Sequence, residues 1–137
     1  MATTFNSVNE GYNDEELRQL ADAVALEPVV WSVFEQAGIE VSVRRDDKIH
    51  SFASGNKFYK LFHNVAAAKK QGLNTLLSFG GAWSNHIYAL AALGREQGFK
   101  TVGVIRGERP KQLSEMLLDA EAMGMTLHFV TRFEYRN

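Results

Sequence analysis

Three glycines, Gly72, Gly98 and Gly124, stand 26 residues apart. They constrain the fold more than any other feature. Each follows an apolar-periodic stretch and precedes a threonine and an apolar run: Gly72-Leu73-Asn74-Thr75, Gly98-Phe99-Lys100-Thr101 and Gly124-Met125-Thr126. A glycine just past a helix suits the left-handed C′ position. Ahead of the glycines, Phe58, Leu61, Phe62 and Val65, then Ile87, Leu90 and Ala91, then Leu113, Met116, Leu117 and Ala120 recur at helical spacing. Behind them, 75–79, 101–105 and 126–130 read as strands. One helix–strand unit repeated three times predicts an α/β fold, a parallel sheet with flanking helices and right-handed crossovers, rather than a solenoid. Such a sheet wants helices on both faces, and none follows the third strand before Asn137. The chain therefore reads as the truncated front portion of a larger protein.

The first 38 residues lack this regularity. Residues 1–12 are polar and expected to fray. Asn13 is placed to cap a helix, with Glu16 as the reciprocal partner of a capping box. Leu17, Leu20, Ala21 and Val24 continue it. Pro28 is expected to end or kink that helix and to open a short second one through Phe34, stopped at Gly38. Residues 39–45 alternate, with Ile39, Val41 and Val43 on one face of a half-buried strand, and Asp46-Asp47 turns the chain. The division is an N-terminal helical segment over 1–38 and an α/β portion over 39–137.

Composition removes several function classes. The formal net charge is -1 and no basic stripe exists, so nucleic acid is not an expected partner. There is no cysteine, hence no disulfide, thiolate metal site or cysteine nucleophile. Histidines 50, 63, 86 and 128 lack metal-ligand spacing. No signal peptide and no apolar run of roughly 18 residues is present, so a cytoplasmic protein without a membrane partner is expected.

Two segments carry chemistry. Ser54-Gly55-Asn56-Lys57-Phe58-Tyr59-Lys60-Leu61 puts Lys57 at the mouth of a helix. The positive field there favours the neutral amine, the nucleophile that condenses with an aldehyde. An ordinary solvated lysine is the alternative. Lys60, one turn on, is either a partner for a substrate carboxylate or a surface lysine. Gly80-Gly81-Ala82-Trp83-Ser84-Asn85-His86 lies where a strand ends and a helix opens, the position at which open α/β sheets bind ligands. Ser84 is also a good N-cap and Asn85 an ordinary first-turn residue. Capping does not call for two glycines, which suggests close approach of something to the backbone. His86 is the one histidine near this site, and Trp83 and Tyr88 are read as packing residues. Neither a dinucleotide fingerprint nor a P-loop is present.

Together with Arg45-Asp46-Asp47-Lys48-Ile49-His50, these segments resemble the 1-aminocyclopropane-1-carboxylate deaminase/D-cysteine desulfhydrase family. Its members are pyridoxal-phosphate enzymes of the tryptophan-synthase β-subunit fold, fold type II. The resemblance runs from about residue 39 to residue 135. It implies pyridoxal 5′-phosphate as cofactor, held by Lys57 as a Schiff base, with Asn85 on its phenolic oxygen. It implies that Ser84 contacts the substrate carboxylate, or serves as a nucleophile or proton relay in the deaminase branch, and that Lys60, Asn85 and His86 face the substrate. A small amino acid is the implied substrate, D-cysteine or 1-aminocyclopropane-1-carboxylate in type. Elimination or ring opening would release ammonia, and the full-length form would be a homodimer. Trp83 stands where the family has glutamine, and Tyr88 where it has arginine; His86 is closer to the desulfhydrase branch. The family continues well past residue 137, so a catalytically incomplete fragment or a binding module derived from the family is the alternative.

Overall fold

The computed structural model describes residues 13–136. The expected fraying of residues 1–12 lies outside them. Helix α1 (Asp14–Asp22) starts at the expected capping box: the Asn13 side chain accepts from the Glu16 amide, and the Asn13 amide donates to Glu16. It ends at Ala23, earlier than the periodicity through Val24 implied. Pro28 does not terminate it. Instead Leu26–Pro28 forms strand β1, antiparallel to β2 (Ser42–Arg44), with Pro28 opposite Ser42. Proline is tolerated because, among the described strands, β1 has a single neighbour. Between them lies the short helix α2 (Ser32–Gln36), with Gly38 at positive φ after it. The half-buried strand expected over 39–45 is shorter, and Ile39 and Val43 are exposed.

The rest follows the threefold pattern. Helix α3 (Asn56–Lys70), strand β3 (Thr75–Gly80), helix α4 (Asn85–Gln97), strand β4 (Lys100–Arg106), helix α5 (Glu115–Ala122) and strand β5 (Met125–Val130) alternate along the chain. Leu113 precedes α5 instead of lying within it. Gly72, Gly98 and Gly124 all take positive φ, as their position after a helix requires. The strands form a parallel sheet in the order β3-β4-β5.

Register sorts the strand residues onto two faces. Leu76, Ser78 and Gly80 share one face with Thr101, Gly103 and Ile105 of β4, and with Met125 and Leu127 of β5. Helices α4 and α5 pack there, and α3 packs beside α4. The core joins Phe58, Phe62 and Val65 of α3 to Ile87 and Leu93 of α4, Ile105 and Leu117, all fully buried. On the other face, Leu77 and Phe79 remain 55% and 58% exposed. Within the parallel sheet, the exposed large apolar side chains lie on β3. The Tyr135 ring reaches Phe79 edge-on at 5.9 Å from the turn Glu134–Arg136. Among the described residues no helix is long and apolar enough to cross a membrane.

Candidate functional site

Lys57 occupies the first turn of α3. The chain reaches it through Gly55, whose φ of 62° and ψ of -150° are open to glycine almost alone. The Gly55 amide donates to the Asp46 carbonyl at 2.8 Å. The Asp46 carboxylate in turn accepts from the Tyr59 hydroxyl at 2.7 Å and from Arg44 Nε at 3.0 Å. Those bonds hold Asp46 below the ordinary carboxylate range, Tyr59 contributing most and Arg44 next. Burial, followed by the same bond to Asp46, raises the Tyr59 phenol. The segment before Lys57 is therefore pinned to the Asp46 turn. Lys57 Nζ donates to Asn56 Oδ1 at 2.9 Å. Among the described residues neither Lys57 nor Lys60 has a carboxylate partner.

The second segment is built by close packing. A Cβ on Gly80 would fall 2.5 Å from Ile87 Cγ1 and 2.8 Å from Ser84 Oγ; around Gly81 nothing lies within 4 Å. What approaches the double glycine is thus the first turn of α4 itself, and only at Gly80. Ser84 is the N-cap, its Oγ accepting from the Ile87 amide at 3.3 Å. That bond uses an oxygen lone pair and leaves the hydroxyl proton to donate elsewhere. Asn85 is exposed at the first helical position. The amides of Asn85 and His86 have no intrahelical acceptor and make the helix start receptive to anions. Ser114 caps α5 and donates to the Ala82 carbonyl, tying the turn to the next helix. Trp83 is 70% exposed and does not pack as expected.

Lys57 and Lys60 lie near enough to His86 for their charges to act on it. His86 is pushed below its ordinary value by burial, then by the charges of Lys57 and Lys60. Its Nε2 lies 2.9 Å from Ser78 Oγ. Ser78 was not recognised in the sequence, because a strand residue and a helix residue eight apart meet only after the intervening turn reverses the chain. Both line a cleft of about 410 Å³ between α3 and β3, with Asn64 and Gln71. A second cleft, about 520 Å³, opens past the Gly81 turn at the carboxyl ends of the strands, lined by Ala82, Arg106, Phe129 and Arg132 among others.

No family model matches the chain. It is 36% identical over 85 residues to a Thermotoga maritima protein named as a 1-aminocyclopropane-1-carboxylate deaminase, across 62% of this chain and 27% of that one. It is 35% identical over 68 residues to the D-cysteine desulfhydrase of Salmonella paratyphi B, across 50% of this chain and 21% of that one. A solved structure, an ACC deaminase homologue, superposes with a TM-score of 0.67 at 22% identity. It covers 78% of this chain and 32% of that one, which shows a shared fold. The matches span about a quarter of the length of these curated relatives. The resemblance read from the three motifs is shown by these relatives, and partial coverage of this kind fits an N-terminal portion.

Proposed function

We propose, from its resemblance to the 1-aminocyclopropane-1-carboxylate deaminase/D-cysteine desulfhydrase family, that this chain carries the lysine-bearing part of a pyridoxal 5′-phosphate-dependent enzyme. The substrate would be a small amino acid of the D-cysteine or 1-aminocyclopropane-1-carboxylate type, with ammonia released by elimination or ring opening. The supporting observation is that Lys57, in the first turn of α3, has no carboxylate partner among the described residues, while its charge and that of Lys60 reach the half-buried His86 in the first turn of α4. The donor set fits the cofactor: an amine without a carboxylate partner for its aldehyde, and cations and free amides for anionic groups.

When bound, the cofactor supplies an electron sink for the carbanion formed at the substrate Cα. The chain's own residues supply binding and proton movement. Lys57 Nζ would hold the aldehyde carbon and, once exchanged for the substrate amine, take the Cα proton. Asn85 would hydrogen-bond the ring's phenolic oxygen. Lys60 and the free Ser84 hydroxyl proton would orient the substrate carboxylate. With its imidazole shifted down, His86 is neutral at pH 7 and offers a hydrogen bond without adding a third cation.

The test is borohydride reduction of the purified chain with pyridoxal phosphate, followed by peptide mapping. A stoichiometric adduct at Lys57, absent from Lys57→Ala, is the expected result. Substoichiometric labelling scattered over surface lysines would overturn the reading. A non-catalytic binding module is the second reading, favoured by the exposed Leu77 and Phe79 face. It predicts such scattered labelling together with concentration-dependent self-association in sedimentation.

A further inference from the structure

The geometry points to His50 as a positioning residue for Lys57, an inference that rests on the proposed cofactor site. The His50 side chain is only 8% exposed. Its ring stacks on Phe58, the residue after Lys57, with centroids 5.5 Å apart and planes 21° from parallel. Its Nδ1 accepts from the backbone amides of Ala53 at 3.0 Å and Phe52 at 3.3 Å. Both groups can only donate, so Nδ1 must present a lone pair. In the neutral ring the proton then sits on Nε2, which faces Glu96 Oε2 at 3.0 Å and donates to it.

His50 therefore joins three things. It folds the loop that delivers the chain to Gly55 and Lys57, braces the first turn of α3 through Phe58, and anchors both to Glu96 near the C-terminal end of α4. Helix α4 carries Asn85 and His86 at its other end. A helix held at Glu96 ties that anchor to the element whose first turn carries Asn85 and His86. Among the described residues the loop has one further backbone tie, from Gly55 to Asp46, and it lies beyond the His50 bonds. Removing His50 would leave 51–54 free to shift and withdraw the ring against Phe58, so that the Gly55 bond to Asp46 would hold the approach to Lys57 without that support.

Three variants separate the parts of this role. His50→Phe keeps a ring against Phe58 and loses both polar links. His50→Asn restores an acceptor for the loop amides, as asparagine does in an Asx-turn, and gives up Glu96. Glu96→Gln keeps an acceptor for Nε2. The readout is the ratio of reduced pyridoxal-phosphate adduct at Lys57 to that at Lys70, an exposed lysine of the same helix, in protein with wild-type helical content. The ratio is expected to fall about tenfold or more in His50→Phe, the scale at which a misplaced group loses reactivity. It is expected to recover most of that loss in His50→Asn and to change little in Glu96→Gln. An unchanged ratio in folded His50→Phe, or no recovery in His50→Asn, overturns the inference.

If the wild-type chain shows no preference for Lys57, the cofactor reading fails instead. The loop is then read by amide exchange: protection of Phe52 and Ala53 lost in His50→Phe and regained in His50→Asn supports His50 as the loop's organiser, and unaltered exchange refutes it. Should His50→Phe not fold, nitrogen NMR of the wild-type protein decides. A protonated Nε2 and bare Nδ1 at pH 7.5 are expected, and the opposite tautomer overturns the inference.

Discussion

Replacing Gly80 by alanine tests how tightly α4 is seated on the sheet. The new Cβ would lie 2.5 Å from Ile87 Cγ1, 2.8 Å from Ser84 Oγ and 2.9 Å from Ser84 Cβ. Neither neighbour can swing aside. Ile87 is 1% exposed in the core, and Ser84 is held as the cap. The first turn of α4 must therefore lift by roughly an ångström, an overpacking that costs about 1–3 kcal/mol. For a domain of this size that lowers Tm by about 4–12 °C. Gly81→Ala is the internal control. Nothing lies within 4 Å of its Cβ, and Gly81 is not among the positive-φ glycines, so its stability should stay within about 0.5 kcal/mol of wild type. Thermal and urea unfolding of the two variants, with an unchanged urea m-value, measure the contrast. Equal melting of Gly80→Ala and wild type, or equal losses in the two variants, would refute the argument that the doublet's first glycine exists for the helix.

Four further outcomes follow from the site. Ser84→Ala should cost about 1 kcal/mol of unfolding free energy and Ser84→Asp should restore most of it, because the cap needs only an acceptor. Because His86 is shifted down, the unfolded chain binds its proton more readily than the folded one. The neutral imidazole's contribution is full above about pH 6.5 and is lost as pH falls below that value. His86→Gln should thus flatten the urea midpoint between pH 7.5 and 5.5 relative to wild type, and Lys60→Met should raise the His86 titration midpoint seen by NMR. Tyr59→Phe removes the donor to Asp46 and should cost about 1 kcal/mol in urea unfolding.

Helices α3 and α4 and the parallel strands were legible because burial wrote a period into the sequence: Phe58, Leu61, Phe62 and Val65 all became core. Strand β1 was not. It has three residues, one of them proline, and its partner lies beyond an intervening helix, so no local pattern marks it. The double glycine does mark a close approach to the backbone, but at Gly80 the approaching group is the protein's own helix. Lys57 and Ser84 stood out because chemistry and capping favour their residue types. Ser78, Asp46 and Tyr59 did not, since their roles come from pairings between distant elements. His50 likewise gives no sign in the sequence of its bond to Glu96, 46 residues away.

Strand β3 has a further consequence. Among the described strands it is an edge of the sheet, and its outward residues Leu77 and Phe79 are more than half exposed. No charged residue stands between Lys70 and His86, and no proline interrupts the stretch. An uncharged, β-prone segment on an open edge is a template for pairing with another copy of itself. During refolding at high protein concentration, this stretch is where aggregation would nucleate, so dilution favours recovery of the native chain.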